Sequence, residues 1–166
     1  MPATFPTITE ADYTDSAQAA AVVELLNGYA QTKEGGGEAL DPVVQTHLVD
    51  RLAVIEGAFS LLAFDSVTES YVGLLNALPG FSTFAAKPLV NVHDIFVAPD
   101  YRGQGIARHL LHKTLEIARS RGCCKVTLEV LSGNHAARAS YSKAGFKPYV
   151  LDDELGSAEF WQYSLS

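Results

Sequence analysis

The sequence has few of the residues that form disulfides in small secreted domains or bind metals. Its 166 residues include two cysteines, one methionine and one tryptophan. The cysteines, Cys123 and Cys124, are adjacent, so they provide no disulfide framework and lack the spacing of metal ligands. We therefore expect no bound metal, and the cysteine usage fits a reducing, cytoplasmic location.

Long apolar runs and an excess of basic residues are also missing. No apolar run approaches the ~20 residues that cross a bilayer. The first residues show no basic segment followed by an apolar stretch, so neither a membrane association nor a secretory leader is expected. The net charge is −7, from 12 basic and 19 acidic residues. This acidity argues against nucleic acid as the main partner, because a polyanion requires a broad positive face.

The charge that is present is distributed unevenly. Residues 102–147 hold nine basic and two acidic side chains, a local net charge of +7, whereas the other 120 residues carry −14. A basic block inside an acidic chain indicates an anionic ligand for that block, with uneven solvated charge as the alternative. The overall composition, 48% hydrophobic and 19% charged, is that of a globular protein, and its length predicts one domain over residues 1–166.

Hydrophobic periodicity predicts an alternation of strands and helices. Strands are expected at 4–9, 58–65, 70–78, 89–97, 125–131, 146–150 and 159–165. Helices are expected to begin at Asp15 or Ser16, at Pro42, at Ile106 and at Asn134. An aromatic-bearing loop is expected at 81–87. This order predicts a mixed α/β protein with helices on both faces of a sheet.

The most informative turn lies between the fourth strand and the third helix. It contains Gly103 and Gly105, and glycine allows the backbone to approach a ligand closely. With the helix N-terminus behind it, such a turn is suited to a phosphate or pyrophosphate. A Walker loop is excluded because Ile106-Ala107 replaces its Lys-Ser/Thr, and a dinucleotide fingerprint is excluded because Arg108 stands where a third glycine or alanine is required.

The remaining pattern, Arg-x-x-Gly-x-Ala from Arg102 to Ala107, resembles the acetyl-CoA pyrophosphate loop of the GCN5-related N-acetyltransferases (GNAT). The strand before it, and the later pattern Asn-x-x-Ala-x-x-x-Tyr-x-x-x-Gly-Phe at 134–146, are similar to two further family signatures. The resemblance implies a single-domain GNAT fold of the α/β class. In that fold a mixed, mostly antiparallel sheet of about six to seven strands splays between strands 4 and 5.

The resemblance also implies acetyl-CoA as the cosubstrate. The pantetheine arm would bind main-chain groups of the strand, and the pyrophosphate would bind the turn. Asn134 would contact the cofactor or cap the following helix. Lys143 and Arg138 are candidates to bind the nucleotide 3′-phosphate, with plain surface charge as the alternative. The residues implied to bind the cofactor are Ile95, Phe96, Val97, Arg102, Gly103, Gln104, Gly105, Ile106, Ala107, Arg108, Asn134, Tyr141 and Lys143.

For catalysis, the resemblance places Tyr141 as the general acid that protonates the CoA sulfur. The general base is open. His93 and Asp94 occupy the positions of an acidic pair in the diamine and polyamine acetyltransferase branch, from which this sequence departs at His93. Strand alternation puts the two on opposite faces unless a β-bulge intervenes. Glu129 on the neighbouring predicted strand is the third candidate.

The function expected from these features is transfer of an acetyl group to a primary amine by direct attack in a ternary complex. The acidic remainder of the chain favours a small, cationic acceptor. Two alternatives stay open at this point: acetylation of a protein N-terminus or lysine, and a non-catalytic module that senses acyl-CoA. The family is often dimeric and the terminal apolar segment could pair, so a homodimer is a further expectation.

Overall fold

The central element of the computed structural model, which describes residues 5–165, is a five-stranded mixed sheet. The chain divides into two units, one ending at Leu128 and the other beginning at Glu129. The first unit contains, in chain order, β1 (Thr7–Glu10), α1 (Ser16–Ala30), α2 (Pro42–Ala53), β2 (Phe59–Asp65), β3 (Ser70–Ser82), β4 (Lys87–Val97), α3 (Ile106–Ser120) and β5 (Val126–Leu128). The second contains α4 (His135–Lys143), β6 (Val150–Asp152) and β7 (Gly156–Ser157). The single-domain organisation over residues 1–166 stays a prediction.

The strand order is β1-β2-β3-β4-β5, with every pairing antiparallel except the parallel pairing of β4 with β5. This confirms the expected mixed, mostly antiparallel α/β sheet. The seven strands are divided: five form this sheet, and β6 and β7 form a separate hairpin. Pairing between β4 and β5 covers only Val90–Val92 and Val126–Leu128. Beyond Val92 the described part of β4 pairs with β3 alone, because β5 ends at Leu128. The splay between strands 4 and 5 stays a prediction.

Helices α1 and α3 cover opposite faces of the sheet. The core on the α1 face consists of the buried residues Ala21, Val22, Leu25, Leu62, Leu74 and Phe96. On the other face Gly73 lies against α3, because a Cβ atom added there would lie 3.2 Å from Ile106 Cγ2 and 3.4 Å from Leu110 Cδ1. Successive residues of a strand point to opposite faces of the sheet, so Leu74 faces α1 and its neighbour Gly73 faces α3.

The predicted helix starts are confirmed by their caps. Asp15 accepts hydrogen bonds from the N–H groups of Ala17 and Gln18 at 2.9 Å, and Asp41 accepts from Val43 N–H at 2.7 Å. Helix α3 begins at Ile106 as predicted. Across residues 5–165, no helix combines the length and the apolar character that crossing a bilayer requires.

The expected end of β3 at Leu78 and the expected loop at 81–87 are wrong. The strand continues through Pro79-Gly80 to Ser82, and only residues 83–86 form the turn. Pro79 is tolerated because β2 pairs with β3 no further than Ala77, so Pro79 has β4 as its single neighbouring strand. A proline in a strand is acceptable where its missing N–H is not needed by a neighbour.

The expected last strands are also wrong. Residues 146–149 and 158–165 lie outside any strand, and β5 is shorter than the predicted 125–131. The apolar side chains near the C-terminus are exposed, with Trp161 84% exposed. Alternation makes a segment suitable for a sheet, but a strand also requires a partner to pair with. The predicted first strand, 4–9, begins at Thr4, which lies outside the described residues.

Gly73→Val tests the close packing of α3 on the sheet. The added side chain meets Ala63 and two α3 residues, so we expect a loss of about 1–3 kcal/mol in the free energy of unfolding. The measurement is urea denaturation followed by circular dichroism. Gly133→Ala is the control, because a Cβ there meets open space. Equal denaturation midpoints for the two variants would contradict this packing.

Candidate active site

A β-bulge in β4 shapes the site. The β3–β4 register passes from Asn76 opposite Asp94 to Ala77 opposite Val92, which leaves His93 as the extra residue. His93 is exposed, and its Nδ1 lies 3.1 Å from Asn91 Oδ1. Strand alternation would place His93 and Asp94 on opposite faces of the sheet unless a β-bulge intervened, and a bulge is present at His93.

Asp94 lies on the α1 face of the sheet and is half-buried. Its Oδ2 accepts a hydrogen bond of 3.0 Å from Asn76 Nδ2. Tyr29 of α1 is close by, with its ring centroid 6.2 Å from that of Phe96. Burial raises the pKa of Tyr29, and the negative charges of Asp94 and then Glu34 raise it further. Tyr29 was not among the sequence-predicted site residues, because its helical spacing indicates only that it faces inward.

The glycine turn after β4 uses the conformational freedom of both its glycines. Gly103 has φ +78° and Gly105 has φ +88°, both in the left-handed region that favours glycine. Gly105 is the N-cap of α3 and provides no side-chain hydrogen bond to the first turn. Because helix N-termini leave N–H groups without intrahelical acceptors, this 15-residue helix presents donors suited to an anion. The turn therefore fits the pyrophosphate of the implied cosubstrate.

The basic side chains of the turn lie against it. Arg102 Nε donates to Val97 O at 3.1 Å, and its guanidinium carbon lies 5.7 Å from the centroid of the Phe96 ring. Arg108 Nη2 would lie 3.7 Å from a Cβ atom at Gly105. Gln104 Nε2 donates to Asp100 O at 3.3 Å. Arg102 is thereby held on the end of β4, and Arg108 lies beside the glycine turn.

The main-chain groups of β4 divide between its two edges. Ala98 N–H donates to Val72 O at 2.9 Å, so residue 98 faces β3. In an antiparallel ladder every second residue turns its N–H and C=O toward the same neighbour. Phe96 therefore also faces β3, whereas Ile95 and Val97 direct their N–H and C=O groups toward the other edge of β4, which β5 does not pair at these residues.

A carboxylate anchors the segment that leads into the turn. Asp65 Oδ2 accepts from Tyr101 Oη at 2.7 Å and from Thr68 Oγ1 at 2.9 Å, while its Oδ1 accepts from Val67 N–H at 2.9 Å. The Val67 N–H, followed by the Tyr101 and Thr68 hydroxyls, lowers the pKa of Asp65. These bonds tie the short 3-10 turn at Pro99–Tyr101 to the β2–β3 turn.

The second unit carries the remaining predicted residues. Asn134 caps α4, since its Oδ1 accepts from Ala137 N–H at 3.1 Å, which confirms the capping alternative for this residue. Tyr141 is half-buried on α4 with its ring centroid 6.4 Å from that of Phe146, and Lys143 is exposed at the end of that helix. Glu129 follows β5 rather than lying within it. Within residues 5–165 no cluster of three or more histidine, cysteine or acidic side chains has metal-site geometry.

Comparison with known proteins identifies the family. The model of the acetyltransferase (GNAT) family matches residues 23–146, which is most of the chain. The chain belongs to the GNAT acetyltransferase family. The resemblance inferred from the glycine turn is thereby confirmed.

Several acetyltransferases resemble this chain over part or nearly all of its length. Streptothricin acetyltransferase of Streptomyces lavendulae is 36% identical over 106 residues, covering 61% of this chain and 56% of that protein. Thialysine N-epsilon-acetyltransferase of Bos taurus is 35% identical over 81 residues, covering 49% and 44%. The chain thus spans about half the length of these curated relatives. An aminoglycoside acetyltransferase from an uncultured soil metagenome, solved with sisomicin, shares the GNAT fold with a TM-score of 0.76, 18% identity and coverage of 98% and 97%.

Asp65→Asn tests whether the ionised carboxylate of Asp65 stabilises the fold. Since the folded-state pKa of Asp65 is lowered, its ionised form stabilises the fold above the unfolded pKa of about 3.9, and this contribution is lost as pH falls through the folded value. Asp65→Asn should therefore destabilise the GNAT domain at pH 7, and the difference from the native protein should shrink on acidification. Urea denaturation between pH 3 and 7 measures this.

Asp50→Asn, which removes an exposed carboxylate from α2, is the matched control for this charge change. If the stability loss in Asp50→Asn follows pH in the same way as in Asp65→Asn, the hydrogen bonds to Asp65 are not its cause.

Proposed function

We propose that this GNAT protein is an N-acetyltransferase that transfers the acetyl group of acetyl-CoA to the primary amine of a small, cationic acceptor. The observation that carries the proposal is a single arrangement in the first unit. A helix N-terminus with two left-handed glycines is the next element but for a short 3-10 turn after β4, the strand that holds Asp94. Anion binding and a carboxylate base thus lie on consecutive segments of the chain.

The cosubstrate-binding part of the proposal rests on backbone groups. The N–H groups from Arg102 to Ala107 would hold the pyrophosphate, with Arg108 adding positive charge beside them. The main-chain groups of Ile95 and Val97 face the edge of β4 that β5 leaves unpaired, and they are favoured over those of Phe96 for binding the pantetheine arm. When bound, acetyl-CoA supplies the acetyl group as a thioester. A main-chain N–H of Ile95 or Val97 would donate to the thioester carbonyl oxygen.

The geometry favours Asp94 as the general base. Its carboxylate is oriented by Asn76 and half-buried beside Tyr29, whereas His93 is exposed on the bulge. Glu129 lies outside the strand on which its candidacy rested. Asp94 would accept a proton from the acceptor ammonium on a carboxylate oxygen, leaving a neutral amine that would attack the thioester carbonyl carbon. The C–N bond of the amide would form as the C–S bond breaks, and the departing CoA thiolate would take a proton from Tyr141.

The acid role of Tyr141 rests on the sequence pattern at 134–146. A phenol remains protonated at neutral pH, so it is a suitable donor for the CoA thiolate. Lys143 as a partner of the 3′-phosphate, and Asn134 as a cofactor contact in addition to its cap, rest on the same pattern.

The acceptor class is argued from charge. The negative charges of Asp94 and Glu34 both raise the pKa of Tyr29, so a second carboxylate acts on the same tyrosine as the proposed base. Such a field attracts cations and repels anions. The names of two relatives, a streptothricin and a thialysine N-epsilon acetyltransferase, describe transfer to amine acceptors. Location in the cytoplasm and homodimer formation remain expectations from the sequence.

An amine panel tests the function. With acetyl-CoA and an assay for released thiol, we expect turnover of diamines, polyamines and lysine-like amines, and little turnover of anionic acceptors. Turnover confined to peptides would favour the protein acetyltransferase alternative. Turnover only of neutral or anionic amines would contradict the cationic acceptor.

Two variants assign the proton transfers within that assay. Asp94→Asn and Tyr141→Phe should each lower kcat by about 10²–10⁴-fold while acetyl-CoA still binds. Tight CoA binding without turnover in the native protein would favour the sensor alternative. An unchanged kcat in Tyr141→Phe across the pH range would remove Tyr141 as the acid.

Gly105→Ala tests the glycine turn. Alanine is strained at φ +88°, so the turn should shift and the KM for acetyl-CoA should rise about tenfold, measured by the same thiol release. Gly122→Ala is a matched control, because Gly122 has φ +69° at the opposite end of α3. It should lower stability without raising this KM. Equal rises in both variants would contradict a binding role for the turn.

A further inference from the structure

A row of four polar side chains crosses the sheet on its α1 face and ends at Asp94. Tyr13 Oη lies 2.8 Å from Ser60 Oγ. Ser60 Oγ donates to Asn76 Oδ1 at 2.6 Å, and Asn76 Nδ2 donates to Asp94 Oδ2 at 3.0 Å. We call these four residues the polar row. They come from the segment before α1 and from three adjacent strands.

The middle of the polar row is buried among apolar side chains. Ser60 is fully buried and Asn76 is 3% exposed, and on the same sheet face the next pair along these strands is Leu62 and Leu74. Burying polar groups is costly unless each is hydrogen-bonded, and here each one is. Apolar residues at 60 and 76 would continue the core without that requirement. The polar row therefore needs an explanation other than packing.

The row has a fixed direction. Because the Ser60 hydroxyl uses its hydrogen on Asn76 Oδ1, Tyr13 Oη must donate to Ser60 Oγ. The amide oxygen of Asn76 thus accepts from Ser60, and its amide nitrogen donates to Asp94. If the amide were rotated by 180°, its oxygen would face the Asp94 carboxylate, and the two negatively polarised oxygens would repel each other. Burial raises the pKa of Tyr13, which keeps its phenol a donor.

We infer that Asn76 is a positioning residue for the general base, with Ser60 and Tyr13 holding its amide in the productive orientation. The inference rests on the proposed function, in which Asp94 is the base. The bond from Asn76 fixes Oδ2 of Asp94, so the carboxylate meets each acceptor amine in one orientation. A bulge next to Asp94 loosens the strand, and the polar row supplies the constraint that the ladder lacks there.

The test is the kinetics of single variants along the polar row. Asn76→Leu removes the donor to a charged group, so kcat should fall about 10- to 100-fold. The KM for acetyl-CoA should stay within about twofold of the native value, because the glycine turn is untouched. Ser60→Ala and Tyr13→Phe, which are smaller changes, should lower kcat in decreasing order. Asn76→Asp keeps the shape of the side chain and should also lower kcat, because it sets a second carboxylate against Asp94.

Thr114→Val is the control for the loss of a buried polar group. Thr114 is fully buried on α3 and donates to Leu110 O at 3.0 Å, away from the polar row. This variant should keep the native kcat. The double variant Asn76→Leu with Asp94→Asn should lose no more than Asp94→Asn alone, because Asn76 acts through Asp94.

The outcomes separate the two proposals. A native protein that releases no thiol with any amine contradicts the proposed function, and the positioning role with it. If the native protein acetylates an amine and Asp94→Asn retains the native kcat, Asp94 is not the base. The base role of Asp94 and the positioning role of Asn76 are then both wrong. If Asp94→Asn loses activity but Ser60→Ala and Asn76→Leu retain the native kcat, the positioning role alone is wrong. A loss in the double variant beyond that of Asp94→Asn would also overturn it.

Discussion

One extra residue in β4 is the constraint on which the site depends. With His93 bulged, the ladder on one side of it pairs Val92 with Ala77, and on the other side it pairs Asp94 with Asn76. This shift in register places the Asp94 side chain on the α1 face of the sheet, near Asn76 and Tyr29, and leaves His93 exposed. It also determines that Ile95 and Val97 turn their main-chain groups to the edge that β5 does not pair.

The two ends of the proposed site use different kinds of charge. The cosubstrate end relies on backbone N–H groups at the start of α3, with arginines held beside them. The acceptor end relies on carboxylates near Tyr29. Backbone dipoles bind an anion without adding flexible side chains, and a carboxylate both attracts a cation and accepts its proton. Arg102 and Arg108, two of the nine basic residues in 102–147, lie at the proposed cosubstrate end.

The sequence predicted most of the first unit because its signals are local. Asp15 and Asp41 cap helices through bonds to residues two or three positions ahead, and Gly103 and Gly105 report the backbone conformation of a single turn. The predictions failed where the outcome depended on a distant partner. Pro79 was expected to end β3, but the limit of β2 on the other side made it acceptable there. The alternating residues 159–165 suggested a strand and pair with none in the described structure.

The sequence by itself determined the family, the position of the glycine turn that is proposed to bind an anion, and a short set of candidate bases. These follow from residue types at fixed spacing, which any chain with the same pattern presents. Only the tertiary structure separated Asp94 from His93, because the position of a bulge depends on the register between β3 and β4. Only the tertiary structure revealed Asn76, Ser60 and Tyr13 behind that carboxylate. They are 18, 34 and 81 positions before Asp94 in the chain. The pairing of β2, β3 and β4, and the hydrogen bonds from the segment before α1 to Ser60, bring them together rather than sequence spacing.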